Sequence, residues 1–391
     1  MKRVYLDHAS ATPMRREVIE AMLPYFDQHF GNPSMVYDIG SNVKEVMEEQ
    51  RLKIAKLIGA NAEEIIFTSS GAEANNLAIK GVAFARQKKG KHIIISAIEH
   101  HSILNSARFF ERMDFEVTLL QVDEHGLVDP ERLSKAITSE TILVSVMHAN
   151  NEIGTIEPIS ELSAICRAKG IVFHTDAVAT VGNIPVDVNE LNVDLLSFSG
   201  ISMGAPKGVG ALYFRDHLRL MPLIHGGIQE KGRRGGTENI PGIVGLGKAA
   251  EIIPKELPGK VTRTRNLRDF LIKGIGERLE FVTLTGHPDK RLPGHASFCV
   301  EAIEGEALTF MLSQDGIYAN TGSACASKAL KTSPVLVAIG VRPELAQGSV
   351  VFTLNGNHAV EELEYVLEKF QGDVAKLRAL SPIWMGKAAT R

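Results

Sequence analysis

The stretch that decides the fold is Ser197–Phe214, SFSGISMGAPKGVGALYF. An apolar run ends at Ser199, a short loop of small residues follows, and a second apolar run, GALYF, starts at Gly210. Two short strands this apolar belong in a sheet covered on both faces. Upstream lie more runs of the same kind: EIIFTS (64–69), KHIIIS (91–96), FEVTLLQ (115–121), TILVSVM (141–147) and IVFHTD (171–176). With VDLLSFS (193–199) and GALYF (210–214) they make seven strands. The segments between them have helical periodicity. Residues 42–59, for example, place Val43, Val46, Met47, Leu52, Ile54 and Leu57 on one broad face. Strand–helix–strand repetition predicts an α/β fold whose large domain is a mostly parallel, seven-stranded, doubly wound sheet. Ligands of such sheets sit beyond the carboxyl ends of the strands. The loop after Ser199 therefore stands where catalytic groups are expected, yet Ser197 to Pro206 offers no acid, base or amine.

The pattern changes at residues 254–258, where IIPKELPGK carries two prolines and a glycine. The expected organisation is an N-terminal segment (1–15) packing near the active site and a large domain (16–258). A smaller α+β domain (259–391) then carries the cysteine loop. The chain has 391 residues, 44% hydrophobic and 23% charged, with a formal net charge of -3. That balance gives no attraction to nucleic acid or to an anionic membrane surface. No apolar run approaches the roughly 20 residues that span a bilayer. Three cysteines without a CxxC pair, no HExxH pattern and a start unlike a signal peptide point to a reducing cytoplasm and away from structural zinc.

The strand ends carry the candidate chemistry. FTSSGAEANN (67–76) puts Ser69, Ser70, Gly71 and Ala72 before a helix, as an anion cradle or simply as a capped turn. IEHHSILN (98–105) places His100 and His101 after a strand, where an imidazole could stack on a planar ligand or act as a base. HANNEIG (148–154) offers polar side chains to a ligand or to a turn. In IVFHTDA, His174 and Asp176 share a strand face, and a carboxylate at that depth needs a cation or several donors. The two arginines, Gly-Gly pair and Thr237 of RRGGTENI suit a phosphate or a solvated basic turn. Cys325, in NTGSACASK, sits among small polar residues, as a thiol available for sulfur chemistry would. Cys166 and Cys299 lie in helix and strand patterns and read as core.

Taken in order, YLDHASATP, FGNPS, FTSSGAEANNLAIKG, EHHS, HANNEIG, HTDA, SFSG…PKGVGALY, GGTEN, GHPDKRLPG and TGSACAS resemble the cysteine desulfurases over nearly the whole chain. These are aminotransferase-like, fold-type I pyridoxal-phosphate enzymes. The resemblance implies a homodimer that moves sulfur from L-cysteine onto a loop cysteine as a persulfide, for iron–sulfur cluster assembly and thiolation. It assigns the persulfide to Cys325, ring stacking to His100 and the ring-nitrogen partner to Asp176. Asn151 and Asn32 fall beside cofactor and substrate. Ser199 and Thr237 become phosphate ligands, Thr237 from across the dimer interface.

The pattern then breaks. Where the family reads SFSGHK, this chain reads SFSGIS, so Ser202 stands at the Schiff-base lysine and Ile201 at the preceding histidine. Lys207 belongs to the PKG segment that family members carry in addition. Ala72 replaces a phosphate-binding threonine, Ala179 the glutamine beside the cofactor's phenolic oxygen, and Val351 the arginine that clamps the substrate carboxylate. All five changes are expected to strip polar groups from one pocket. A hydroxyl cannot replace a lysine as covalent anchor and proton carrier. The expectation is a desulfurase-like protein of sulfur mobilisation whose ordinary pyridoxal-phosphate catalysis is lost, the cofactor being bound non-covalently or absent. Two alternatives stand beside it. One is a sulfur carrier or cluster-assembly partner in which Cys325 accepts sulfur or ligates an iron–sulfur cluster held by a scaffold protein. The other is a repurposed pocket with a different ligand.

Overall fold

The computed structural model describes residues 3–216, 218–322 and 332–388, so Cys325 lies outside the described residues. The strands are β1 (Val4–Tyr5), β2 (Ile65–Thr68), β3 (His92–Ser96), β4 (Glu116–Leu120), β5 (Thr141–Ser145) and β6 (Val172–Asp176), followed by β7 (Leu195–Ser199), β8 (Gly210–Phe214), β9 (Val282–Leu284), β10 (His295–Val300), β11 (Ile317–Tyr318) and β12 (Ser349–Thr353). Seven of them form one sheet in the order β2-β8-β7-β6-β5-β3-β4. The pairs β3/β4, β3/β5, β5/β6 and β6/β7 are parallel, and β8 runs antiparallel to both β2 and β7. The seven runs read from the sequence are the seven strands of this sheet.

Strand alternation divides the core. Ile94, Val144, Phe173, Leu196 and Phe198 pack on one face of the sheet, and Ile93, Ile95, Leu143, Val172 and Leu195 on the other. Helices α1 (Asp38–Leu57) and, farther along, α4 (Ile240–Arg278) cover the first face; α2 (Gly71–Arg86) and α3 (His101–Glu111) cover the second. Helix α1 corrects one detail of the sequence reading. Val43, Met47 and Ile54 are buried, but Leu52 is 45% exposed. Nine residues separate Leu52 from Val43, half a helical revolution off the buried stripe. Arg51 is buried instead, with its guanidinium on the buried Glu230 carboxylate at 2.8 Å and 4.5 Å above the Phe67 ring.

Helix α4 runs unbroken from Ile240 to Arg278, through both Pro254 and Pro258. It carries the chain from the large sheet to a three-stranded antiparallel sheet in the order β12-β10-β9. There Phe298, Val350, Phe352 and Phe370 form a third core that also takes Val4 and Leu6. The N-terminal strand β1 pairs in parallel with β11, and Asp7 bridges Thr353. The first residues therefore belong to the C-terminal unit, which fixes where residues 8–12 run. Among the described residues, no helix is long and apolar enough to cross a membrane.

Candidate active site

The sheet reverses its direction of growth between β3 and β5, and the carboxyl ends of β3, β5, β6 and β7 open on one side. A cavity of about 260 Å³ lies there. His100 follows β3, Asn151 follows β5, Asp176 ends β6, Ser199 ends β7, and Ile201 with Ser202 follows β7; all line the cavity. Gly71 and Ala72 contribute the first turn of α2, His8 and Thr12 the N-terminal segment, and Thr353 and Asn355 the C-terminal unit.

Asp176 is 4% exposed. Its carboxylate accepts from the Val178 amide at 2.9 Å and from Asn75 Nδ2 at 2.6 Å. Burial nevertheless pushes its pKa above the ordinary carboxyl value. The same Asn75 amide donates to Ser102 Oγ at 2.9 Å, and Ser102 Oγ meets His100 Nδ1 at 2.8 Å. The Ser102 amide also donates to that nitrogen, at 3.2 Å. With the Ser102 amide donating to it, Nδ1 is an acceptor and leaves Nε2 as the ring donor. Asp176 and His100 are thus linked through two intermediaries rather than bonded to each other. Asn75 and Ser102 are the functional residues that sequence reasoning passed over. Both stand inside quoted motifs, but nothing in their spacing marks them as partners. Asn75 Oδ1 is buried without a hydrogen-bond partner.

At the anion end, Ser70 caps α2 by accepting from the Glu73 amide at 3.2 Å. The Gly71 and Ala72 amides in its first turn have no intrahelical acceptor. A Cβ at Gly71 would lie 2.5 Å from Val178 Cγ2, so the helix end reaches this depth only as glycine. These features fit pyridoxal phosphate. A ring N–H suits the buried Asp176, and a phosphate suits the helix end beside Ser199. The misfit is at position 202. Ser202 Oγ turns to the Val181 and Ser199 carbonyls, at 3.3 and 3.4 Å.

Other expectations change. Ala72, Ala179, Ile201 and Ser202 line the cavity, but Val351 does not. It shares a strand face with the lining residue Thr353, yet its short side chain ends near Gly322, with Cγ2 3.5 Å from where a Cβ there would stand. Thr237 is exposed and outside the cavity, and Asn32 is also outside it. The arginines of RRGGTENI are engaged elsewhere: Arg234 pairs with Glu73 at 2.9 Å, and Arg233 lies 4.2 Å above the Phe214 ring. Lys207 is exposed and is not part of the lining. Cys166 and Cys299 are buried, and burial pushes both thiols up to about 12.

Comparison with known proteins agrees with this geometry. The sequence family described as aminotransferase class-V matches residues 4–365. The chain belongs to that family, among its cysteine desulfurases. It is 52% identical over 383 residues to the cysteine desulfurase IscS of Dictyoglomus turgidum, covering 98% of this chain and 97% of that one. It is 49% identical over 382 residues to the cysteine desulfurase IscS of Methanosarcina thermophila, covering 98% and 94%. A solved NifS-like protein superposes with a TM-score of 0.90 at 36% identity, covering 96% of this chain and all of the other. That cysteine desulfurase match spans nearly the whole chain, including the isoleucine and serine that follow β7.

Proposed function

We propose that this chain is a sulfur-mobilising protein of cysteine desulfurase type. Its cavity takes pyridoxal phosphate, and ordinary turnover through position 202 is lost. One observation carries the reading: the cavity keeps a buried, donor-held carboxylate at Asp176 while Ser202, which the resemblance aligns with the family's lysine, offers it only a hydroxyl. When bound, the cofactor supplies an electron sink for bonds at the substrate α-carbon. Asp176 would hold the ring-nitrogen proton, and His100, its ring fixed by Ser102, would stack on the ring. The α2 amides and Ser199 would receive the phosphate, and Asn151 would border the substrate. Thr237, exposed on its own subunit, reaches the cavity of a second copy. A homodimer fits the apolar surface of Leu23, Phe26, Phe30, Val36 and Tyr37, each more than half exposed. Cys325 carries the sulfur and hands it to a scaffold or other acceptor protein in a reducing cytoplasm.

The test compares the wild type with Ser202→Lys. Both are incubated with pyridoxal phosphate, then assayed for retained chromophore after desalting and for alanine made from L-cysteine. The expected result is chromophore shifted from that of the free cofactor in both proteins, with much faster alanine production by the variant. Equal alanine production by the two would overturn the loss at position 202. No retained chromophore in either would overturn cofactor binding.

A further inference from the structure

The cavity does contain an amine. Lys260, on α4, lines it together with Ser202. Its Nζ donates to the Gly182 carbonyl at 2.8 Å and to Asn183 Oδ1 at 3.1 Å. Ser202 Oγ donates to Val181, the adjacent carbonyl of the same turn. The amine and the hydroxyl therefore enter the cavity against consecutive peptides, from opposite directions in the chain: one from the end of β7, the other from the helix that leads to the C-terminal unit. The turn they share follows directly on Asp176 and Ala179. Alanine at 179 and isoleucine at 201 place no rival polar side chain at those two positions of the lining.

The surroundings suit a nucleophilic amine. Burial, then the Arg15 charge, lowers the Lys260 pKa from its ordinary value to about 8, with Glu256 opposing. Arg15 is tied to Glu256 at 2.7 Å and stays a fixed neighbouring cation. His8, also in the lining, is pushed down to about 4 by burial and by the charges of His358 and Lys260, and its buried Nδ1 has no partner. A desolvated lysine beside another cation is one way proteins activate amines toward carbonyls.

We propose that Lys260 supplies the amine missing at position 202, condensing with the aldehyde of a pyridoxal-class ligand in this cavity. The free amine adds to the aldehyde carbon. A carbon–nitrogen double bond forms, and the carbonyl oxygen departs as water with the two amine hydrogens. No oxidant or reductant enters the step. The proposal rests on the reading that the cavity binds pyridoxal phosphate. The competing role, an ammonium that only clamps the 182–183 turn, forms no adduct.

The experiment incubates the full-length protein with pyridoxal 5′-phosphate, reduces it with borohydride and maps modified lysines by mass spectrometry. Wild type is compared with Lys260→Arg and Lys260→Gln. Binding of 4-deoxypyridoxine phosphate, which has no aldehyde, is measured on all three in parallel. The expected result is a reduced adduct on Lys260, at least tenfold more abundant than on any other lysine. Its yield should rise roughly tenfold per pH unit toward about 8. Neither variant should show it at the cavity, while both bind the deoxy ligand within about threefold of wild type. Deoxy-ligand binding without a Lys260 adduct overturns this inference and leaves the cofactor reading intact. Absence of deoxy-ligand binding in all three overturns both.

Discussion

Along one wall of the cavity, Asp176, Asn75, Ser102 and His100 are joined by hydrogen bonds of 2.6–2.9 Å. Along the wall built from residues 179–183 and 199–202, Ala179 and Ile201 offer no polar side-chain atom, and Ser202 turns back on backbone carbonyls. On the first wall these four side chains are bonded to one another by the protein itself, although the buried Asn75 Oδ1 has no partner, so the bonded groups tolerate burial whether or not a ligand is bound. On the second wall, the Lys260 amine is met by the Gly182 carbonyl and Asn183 Oδ1, and leaving such a buried group unmet would cost about 1–3 kcal/mol. The difference teaches where each wall's function lies. On the proposed function, one is a preformed ring clamp. The other is an anchor that has moved from β7 to α4 if Lys260 acts as proposed.

Restoring the anchor should break the contrast most strongly. Ser202→Lys is expected to raise alanine production from L-cysteine by roughly 10²–10⁴-fold, the usual worth of a positioned acid–base group, measured by amino-acid analysis after adding pyridoxal phosphate. Removing the clamp comes next. Asp176→Ala leaves the Val178 amide and one of the two Asn75 Nδ2 hydrogens unmatched and should weaken pyridoxal phosphate binding by roughly 10–100-fold in equilibrium titrations, as expected for a charged hydrogen bond. Ser102→Ala frees the His100 ring while leaving Asp176 in place. It should weaken binding by about fivefold, and it should move the spectrum of the bound chromophore, which a purely structural role would not do.

The smallest effect concerns stability and lies beside the cavity, where Ser333 Oγ donates to the Glu152 carboxylate. Burial pushes Glu152 up to about 7 from 4.5. The folded state therefore keeps a proton that the unfolded chain gives up near 4.5. The associated stability is complete below that value and is lost as pH rises through about 7. Glu152→Gln should reduce the fall in melting temperature between pH 5 and pH 8 by about 2 °C. Glu157, raised to about 8, and Glu99, also raised by burial, keep a residual slope in the same direction. An unchanged slope in the variant would remove Glu152 from the account.

Much of this was written locally. Seven apolar runs bounded by turns identify the sheet because strands buried on both faces must be apolar throughout, and that holds wherever their neighbours lie. The strand-end positions of His100, Asn151, Asp176 and Ser199 follow from the same reading. Leu52 failed because counting apolar residues in a window ignores the angle at which each leaves the helix. Val351 failed because sharing a face with Thr353 does not carry a short side chain into the same cavity. Asn75, Ser102 and Lys260 could not be read at all: a polar residue's partner is set by elements far away in sequence.

The sequence by itself determined the sheet, the family and the absence of any lysine from Ser197 to Pro206, since these depend on periodicity, on motifs with fixed spacing and on residue type. Only the tertiary structure decided that Asp176 and His100 speak through Asn75 and Ser102, and that the amine of Lys260 meets the hydroxyl of Ser202 at one turn. Those pairings arise where strand ends and a long helix converge, and the physics of a buried hydrogen bond depends on distance in space rather than along the chain.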